Sequence, residues 1–125
     1  MEKVLTIDGK KVPFKCTGGF LIRYKQLAGS DPIKDIYNIG TALDGAKGKN
    51  VDLSSFDIDV IYNLIWIMAR TANPEVPDLL TWLDSFDEFP VFMILMDLKD
   101  MLAAAFKTSK TIEPDSKKKT ITIKK

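Results

Sequence analysis

Carboxylates are the only abundant side chains in this sequence that could do chemistry. They fall into three sets, Asp57 with Asp59, Asp84 with Asp87 and Glu88, and Asp97 with Asp100. A spacing of three, as in Asp84/Asp87 and Asp97/Asp100, places two carboxylates on one helix face, where a pair could hold a cation or divide the roles of acid and base. The plainer reading is a solvated acidic face, because no segment carries the alternating D-x-D-x-D-G pattern of a calcium loop. Other chemistries fail by count. With no histidine and one cysteine, Cys16, the chain has no Ser-His-Asp or Cys-His nucleophile, no His-ligated zinc and no internal disulfide. Cys16 sits among strand-like residues and reads as a small apolar residue in a reducing compartment rather than a reactive thiol. Glycines 18, 19, 29, 40, 45 and 48 compose neither GxGxxG nor GxxxxGKS/T, and Gly45-Ala46-Lys47-Gly48-Lys49 follows no buried strand, which disfavours a nucleotide cradle. The residues therefore predict a non-catalytic protein with no cofactor, no metal and no small-molecule substrate.

A second group lends itself to binding rather than to catalysis. Trp82, Phe86, Phe89 and Phe92 crowd one boundary between two helical segments. Core packing is the default for most of them, yet four large rings so close together exceed what the core of a small domain readily covers, which leaves some to dock a partner. Met93, Met96 and Met101 follow in the next segment, either as core gap-fillers or as adaptable contact residues. Tyr24 with Arg23 and Lys25 reads equally as a polar contact surface or as an ordinary exposed helix face.

The elements that must position these residues are legible from periodicity. Leu5 and Ile7, then Val12, Phe14 and Cys16, alternate with polar residues about Asp8-Gly9-Lys10, which predicts a β-hairpin over 4–17 with Gly9 at positive φ. Such a hairpin must rest on helices or extend a sheet in another subunit, and Pro13 marks a strand edge. Phe20, Leu21, Tyr24 and Leu27 recur at helical spacing up to Gly29-Ser30. Asp31-Pro32 then opens an amphipathic helix through Ile33, Ile36, Tyr37, Ile39 and Leu43, weakened at Gly40, ahead of the loop-like stretch 44–50. From Ser54, with Ser54 and Asp57 resembling a capping box, Ile58, Ile61, Leu64, Ile65 and Met68 form a stripe widened by Val60, Trp66 and Ile67. This helix should be the best-buried element and should end before Asn73-Pro74. Pro77-Asp78 starts a helix with Leu79, Trp82, Leu83 and Phe86 on one face and Leu80 at its margin. A sharp bend between Asp87 and Pro90 follows, then a last helix carrying Val91, Ile94, Leu95, Leu98, Leu102 and Ala105.

At 125 residues and 46% hydrophobic, the chain suits one domain with its own core. We expect an α+β, mainly α-helical fold of four to five helices with an N-terminal hairpin over residues 1–107, and a flexible basic C-terminal tail over 108–125. Residues 1–106 hold 11 Lys/Arg against 15 Asp/Glu, whereas 107–125 hold 7 against 2. An acidic body would repel phosphate, so a nucleic-acid partner is disfavoured. Lys117, Lys118 and Lys119 are candidate tail contacts, read as a solubilising or acid-docking segment before a weak contact to RNA or DNA. Thr120 to Ile123 alternates in strand fashion and either stays disordered or pairs with an exposed edge. The longest apolar run, Pro90 to Met96, is far short of the ~20 residues of a membrane span. No apolar signal core follows Met1-Glu2-Lys3, so neither membrane nor export is expected.

Three stretches, LTIDGKKVPFKCTGGFLIRY from Leu5 to Tyr24, IDVIYNLIWIMAR from Ile58 to Arg70 and TWLDSFDEF from Thr81 to Phe89, resemble in their order the tail assembly chaperones of long-tailed phages and Gram-positive prophages, and so does the lysine-rich tail. The resemblance spans most of the chain. It implies a self-associating protein of the host cytoplasm, absent from the mature virion, that keeps the tape measure protein soluble while the major tail (tube) protein polymerises around it. It also implies a longer product made by programmed frameshift. In that setting Leu5, Ile7, Phe14, Trp82, Phe86, Phe89 and Phe92 are the expected partner or self-association contacts. The rival reading is a small structural virion component, such as a tail completion or connector protein.

Overall fold

The computed structural model describes residues 1–45 and 57–104, with the side chains of 42–45 left aside. The expected boundary at 107, the candidate contacts Lys117, Lys118 and Lys119 and the 120–123 segment lie outside the described residues.

Strands β1 (Glu2–Ile7) and β2 (Lys10–Lys15) pair antiparallel, with Leu5 opposite Val12 and Ile7 opposite Lys10. Only Asp8 and Gly9 connect them. Their φ angles of 53° and 77° give the two positive values of a type I′ turn, whose twist matches that of the strands it joins. Directly opposed residues share a face, so Leu5, Ile7, Val12 and Phe14 point one way with Lys3 and Lys10 at the two ends. That face is the inner one, since Ile7, Val12, Phe14 and Cys16 are buried. The hairpin rests on helices of its own chain.

Helix α1 (Phe20–Ala28) ends where Gly29 takes the left-handed conformation and donates its N–H to Lys25 O. Helix α2 (Pro32–Gly45) starts as an Asx turn in which Asp31 accepts from the Ile33 N–H at 3.0 Å. Helix α3 (Ile58–Ala72) begins with Asp57 as its own N-cap, accepting from the Asp59 N–H. Ser54, expected to form a capping box with Asp57, lies outside the described residues. Helix α4 (Leu79–Asp84) is short, capped by Asp78, and α5 (Val91–Ala104) follows Pro90. The Asp78 carboxyl is held below its ordinary value by the Thr81 hydroxyl and then by the Thr81 N–H.

Helix α3 is the hub, packing against β2, α1, α2, α4 and α5. Val60, Ile61 and the unbroken run Leu64 to Ala69 are buried, as its broad apolar circumference predicts. Each large aliphatic side chain so placed stabilises the fold by about 1.5–3 kcal/mol relative to an exposed one. Trp66 donates its indole N–H to Pro77 O at 2.8 Å, and Arg70 reaches Val76 O at 2.9 Å, which ties the connection to α4 back onto α3.

Two expected surfaces are reassigned. Tyr24 is fully buried, donating to Asp35 Oδ2 at 2.9 Å, while Ser30 donates to the same oxygen at 2.7 Å. This network fastens α1 to α2 and removes Tyr24 from any contact surface. Because Asp35 must face it, the inner stripe of α2 is Pro32, Asp35, Ile36 and Ile39, and the phase leaves Ile33 and Tyr37 exposed.

Candidate functional site

The aromatic residues meet at the junction between α4 and α5. Asp78 accepts from the Thr81 N–H and starts α4, and the Ser85 hydroxyl folds back onto Trp82 O at 2.6 Å and ends it. Phe86 therefore lies just beyond α4, held by a turn bond from its N–H to Leu83 O rather than on a continuing helix face. Pro90 keeps Phe89 out of helical backbone before α5 begins. The consequence is a short irregular link whose two phenylalanines fold inward onto Trp82.

The ring geometry is specific. Trp82 meets Phe86 edge-on at 5.5 Å between centroids and Phe89 at 5.4 Å, with Phe86 and Phe89 5.3 Å apart. Tyr62 of α3 stacks on Phe89 at 6.1 Å. Trp82 is the floor of the cluster, buried to 6% exposure, while Tyr62, Phe86 and Phe89 are half-buried at its rim. Phe92, in the first turn of α5, is half-buried beside it in sequence. Leu80 and Met93, on either side in sequence, are among the exposed large apolar side chains, at 67% and 69%, and Met96 is also exposed. Met101 is buried, so the methionines of α5 divide between core and surface.

The hairpin turn closes over this junction. Lys10 donates from Nζ to Ser85 O and sits 5.0 Å from the centroid of Phe86, and Asp8 accepts from the Asp87 N–H at 2.9 Å. At the other end of the hairpin, Lys3 donates to Asp97 O at 2.8 Å. Sequence reasoning missed Lys10, Asp8 and Tyr62 as members of the site. Lys10 had a usable signal, since it shares the parity of Val12 and Phe14 and so must lie on the inner face.

The residues expected to touch a partner are thus divided. Phe86, Phe89 and Phe92 reach the surface in part, as does Leu5 on the hairpin. Ile7 and Phe14, at 2% and 0% exposure, lie on the inner face of the hairpin and belong to the core, because only one face of a hairpin can cover the helices. Trp82 is likewise a support for the accessible rings rather than one of them.

The acidic residues serve mainly at helix ends. Asp57 caps α3, Asp84 closes α4, and among the described residues no group of three or more His, Cys, Asp or Glu could hold a metal ion. An open depression of about 380 Å³ lies at the far end of the hairpin, lined by Met1, Cys16, Thr17, Gly18, Phe20, Leu21 and Ala104. Its one titratable side chain is Cys16, whose thiol is pushed up by burial despite the N-terminal ammonium nearby. A thiol so disposed is a poor nucleophile. No described helix is long and apolar enough to cross a membrane. Compared with protein-family models, with curated proteins and with solved structures, the chain matches none.

Proposed function

We propose that the chain is a non-catalytic binding protein, a phage tail assembly chaperone that holds the tape measure protein, and the major tail (tube) protein, during tail morphogenesis in the host cytoplasm. The observation that carries the binding role is the junction itself, three half-buried rings seated on a buried tryptophan, next in sequence to exposed Leu80 and Met93. The assignment to tail assembly rests on the resemblance of the Leu5–Tyr24, Ile58–Arg70 and Thr81–Phe89 stretches. A tape measure protein is a long helix with apolar stripes that aggregates unless covered, and a rim of aromatic and methionine side chains is suited to cover it reversibly. The acidic body favours exchange over permanent capture.

Co-expression with the tape measure protein of the same gene cluster tests this reading. The wild-type chain should co-purify with it, and the Phe86→Ser/Phe89→Ser variant should not, while circular dichroism shows both to be folded. No capture by the wild type, or undiminished capture by the folded variant, rejects the assignment. Presence of the polypeptide in purified virions would favour the rival reading as a structural component.

A further inference from the structure

We propose that the hairpin turn is a latch on the aromatic junction: Asp8 and Lys10 hold residues 85–87 down, and their release uncovers Phe86 and Phe89 without unfolding the domain. The inference rests on the proposed binding role for its purpose, but its physical content stands on the contacts alone. Among the described residues the link from Phe86 to Phe89 has one backbone–backbone bond, the turn bond of the Phe86 N–H to Leu83 O, and Pro90 O already accepts from the Ile94 N–H at the start of α5. Among the described residues its long-range polar ties are the Lys10 bond to Ser85 O and the Asp87 N–H bond to the Asp8 carboxylate, both solvent-exposed. Lys10 also covers Phe86 directly.

These ties are of a kind that opens readily. Each is a charge-assisted bond between an exposed ion and a backbone group, so each is weakened by salt and can be exchanged for water. Everything behind the link is of the opposite kind, since Trp82 is buried and α3 is apolar throughout its buried face. Local opening therefore has a natural boundary, with the link on one side and the α3 core on the other. The turn is pre-built to serve as the fixed arm. Two residues with positive φ make a stiff type I′ connection, and strand pairing up to Ile7 and Lys10 leaves no slack in it.

Hydrogen exchange read by mass spectrometry on the full chain tests the latch without any partner. Asp8→Gly removes the carboxylate while keeping a residue that accepts positive φ, and Lys10→Met removes the charge while keeping an apolar stem. In the double variant, the hydrogen-bonded amides of the 85–89 segment, those of Ser85, Phe86 and Asp87, should exchange about tenfold faster, the factor that the net worth of one or two such bonds supports, with α3 protection unchanged. Asp8→Asn, which keeps an uncharged acceptor in a turn that favours Asn-Gly, should fall between wild type and the double variant. Raising salt should speed the wild-type segment toward the variant and leave the variant itself unmoved. Unchanged exchange at 85–89 overturns the latch, and so does faster exchange that extends equally into α3, which would make Asp8 and Lys10 ordinary contributors to global stability. A synthetic amphipathic helix with an apolar stripe separates this from the binding role. Tighter binding by the double variant supports both, whereas local opening with no binding by either protein supports the latch and rejects the binding role.

Discussion

Replacing Trp82 with Ala separates the floor of the aromatic junction from its rim. Trp82 is 6% exposed and meets two phenylalanine rings at 5.5 and 5.4 Å with interplanar angles of 89° and 74°, the edge-to-face arrangement that ring quadrupoles favour. Truncating a buried Trp costs about 3–5 kcal/mol, and two lost edge-to-face pairs at about 0.5–1.5 kcal/mol each place this site toward the upper end. Against a total stability of about 5–15 kcal/mol for a domain, that is a third or more of the whole. Phe86→Ala removes a half-buried ring and should cost about 1–2 kcal/mol. Urea unfolding followed by far-ultraviolet circular dichroism measures both, with constancy of the slope checking that the change lies in stability rather than in the denatured state. The double variant completes a cycle whose coupling should be about 0.5–1.5 kcal/mol, since the rings touch. If Trp82→Ala costs no more than Phe86→Ala, or if the two losses simply add, the cluster is not the packed unit that its geometry implies. The same hierarchy dictates the binding test: loss of a partner in a Trp82 variant reports on folding as much as on contact, whereas loss in a folded Phe86 variant reports on contact.

Two further predictions concern the scaffold. Burial, the hydrogen bond to Asp35 and the negative charges of Asp35 and Asp57 push the Tyr24 hydroxyl well above its ordinary value. Above about pH 10 the unfolded chain then loses this proton while the folded one keeps it, so stability falls with rising pH by up to about 1.4 kcal/mol per unit. Tyr24→Phe should cost about 1–3 kcal/mol at neutral pH, because buried Asp35 loses a donor, and it should lack this share of the alkaline slope. A stability difference between the two proteins that stays constant in urea titrations from pH 8 to 11 would refute the linkage. Gly9→Ala meets no atom within 4 Å of the added carbon, so its cost is purely conformational, about 1–2 kcal/mol for a φ of 77°. It should lower the thermal midpoint by several degrees, and an unchanged midpoint would mean that the turn refolds into another type.

The parts legible in the sequence are those whose determinants are local. Asp8-Gly9 between alternating runs announced the hairpin and its turn, and the wide apolar circumference of Ile58 to Ala72 announced the central helix. Where readings failed, a side-chain hydrogen bond that periodicity does not register had intervened. Tyr24 looked like a surface residue because nothing near it shows that Asp35, eleven positions on, supplies a buried acceptor. Once Asp35 faces inward, the phase of α2 is fixed by a carboxylate rather than by its isoleucines, and Ile33 is turned out to 59% exposure. The junction divides in the same way. Its rings were legible as a cluster from their spacing alone, but Phe86 was expected on the face of a longer helix, and the Ser85 hydroxyl ends α4 before it.

The accessible rings and the core adjoin closely in this chain. A two-stranded hairpin is marginal in water and survives here by giving its inner face to the helices, β2 to α3 and β1 to α5, with Ile7 and Phe14 buried. Its polar ends, Lys3 and Lys10, are then left at the margin of the buried area, where each reaches a backbone carbonyl of a neighbouring segment and Lys10 also lies over the Phe86 ring. One of those carbonyls belongs to the link that carries Phe86. The hairpin that completes the core is therefore also the element that reaches over Phe86, so a change that loosens the turn should alter the exposed apolar surface before it alters the fold.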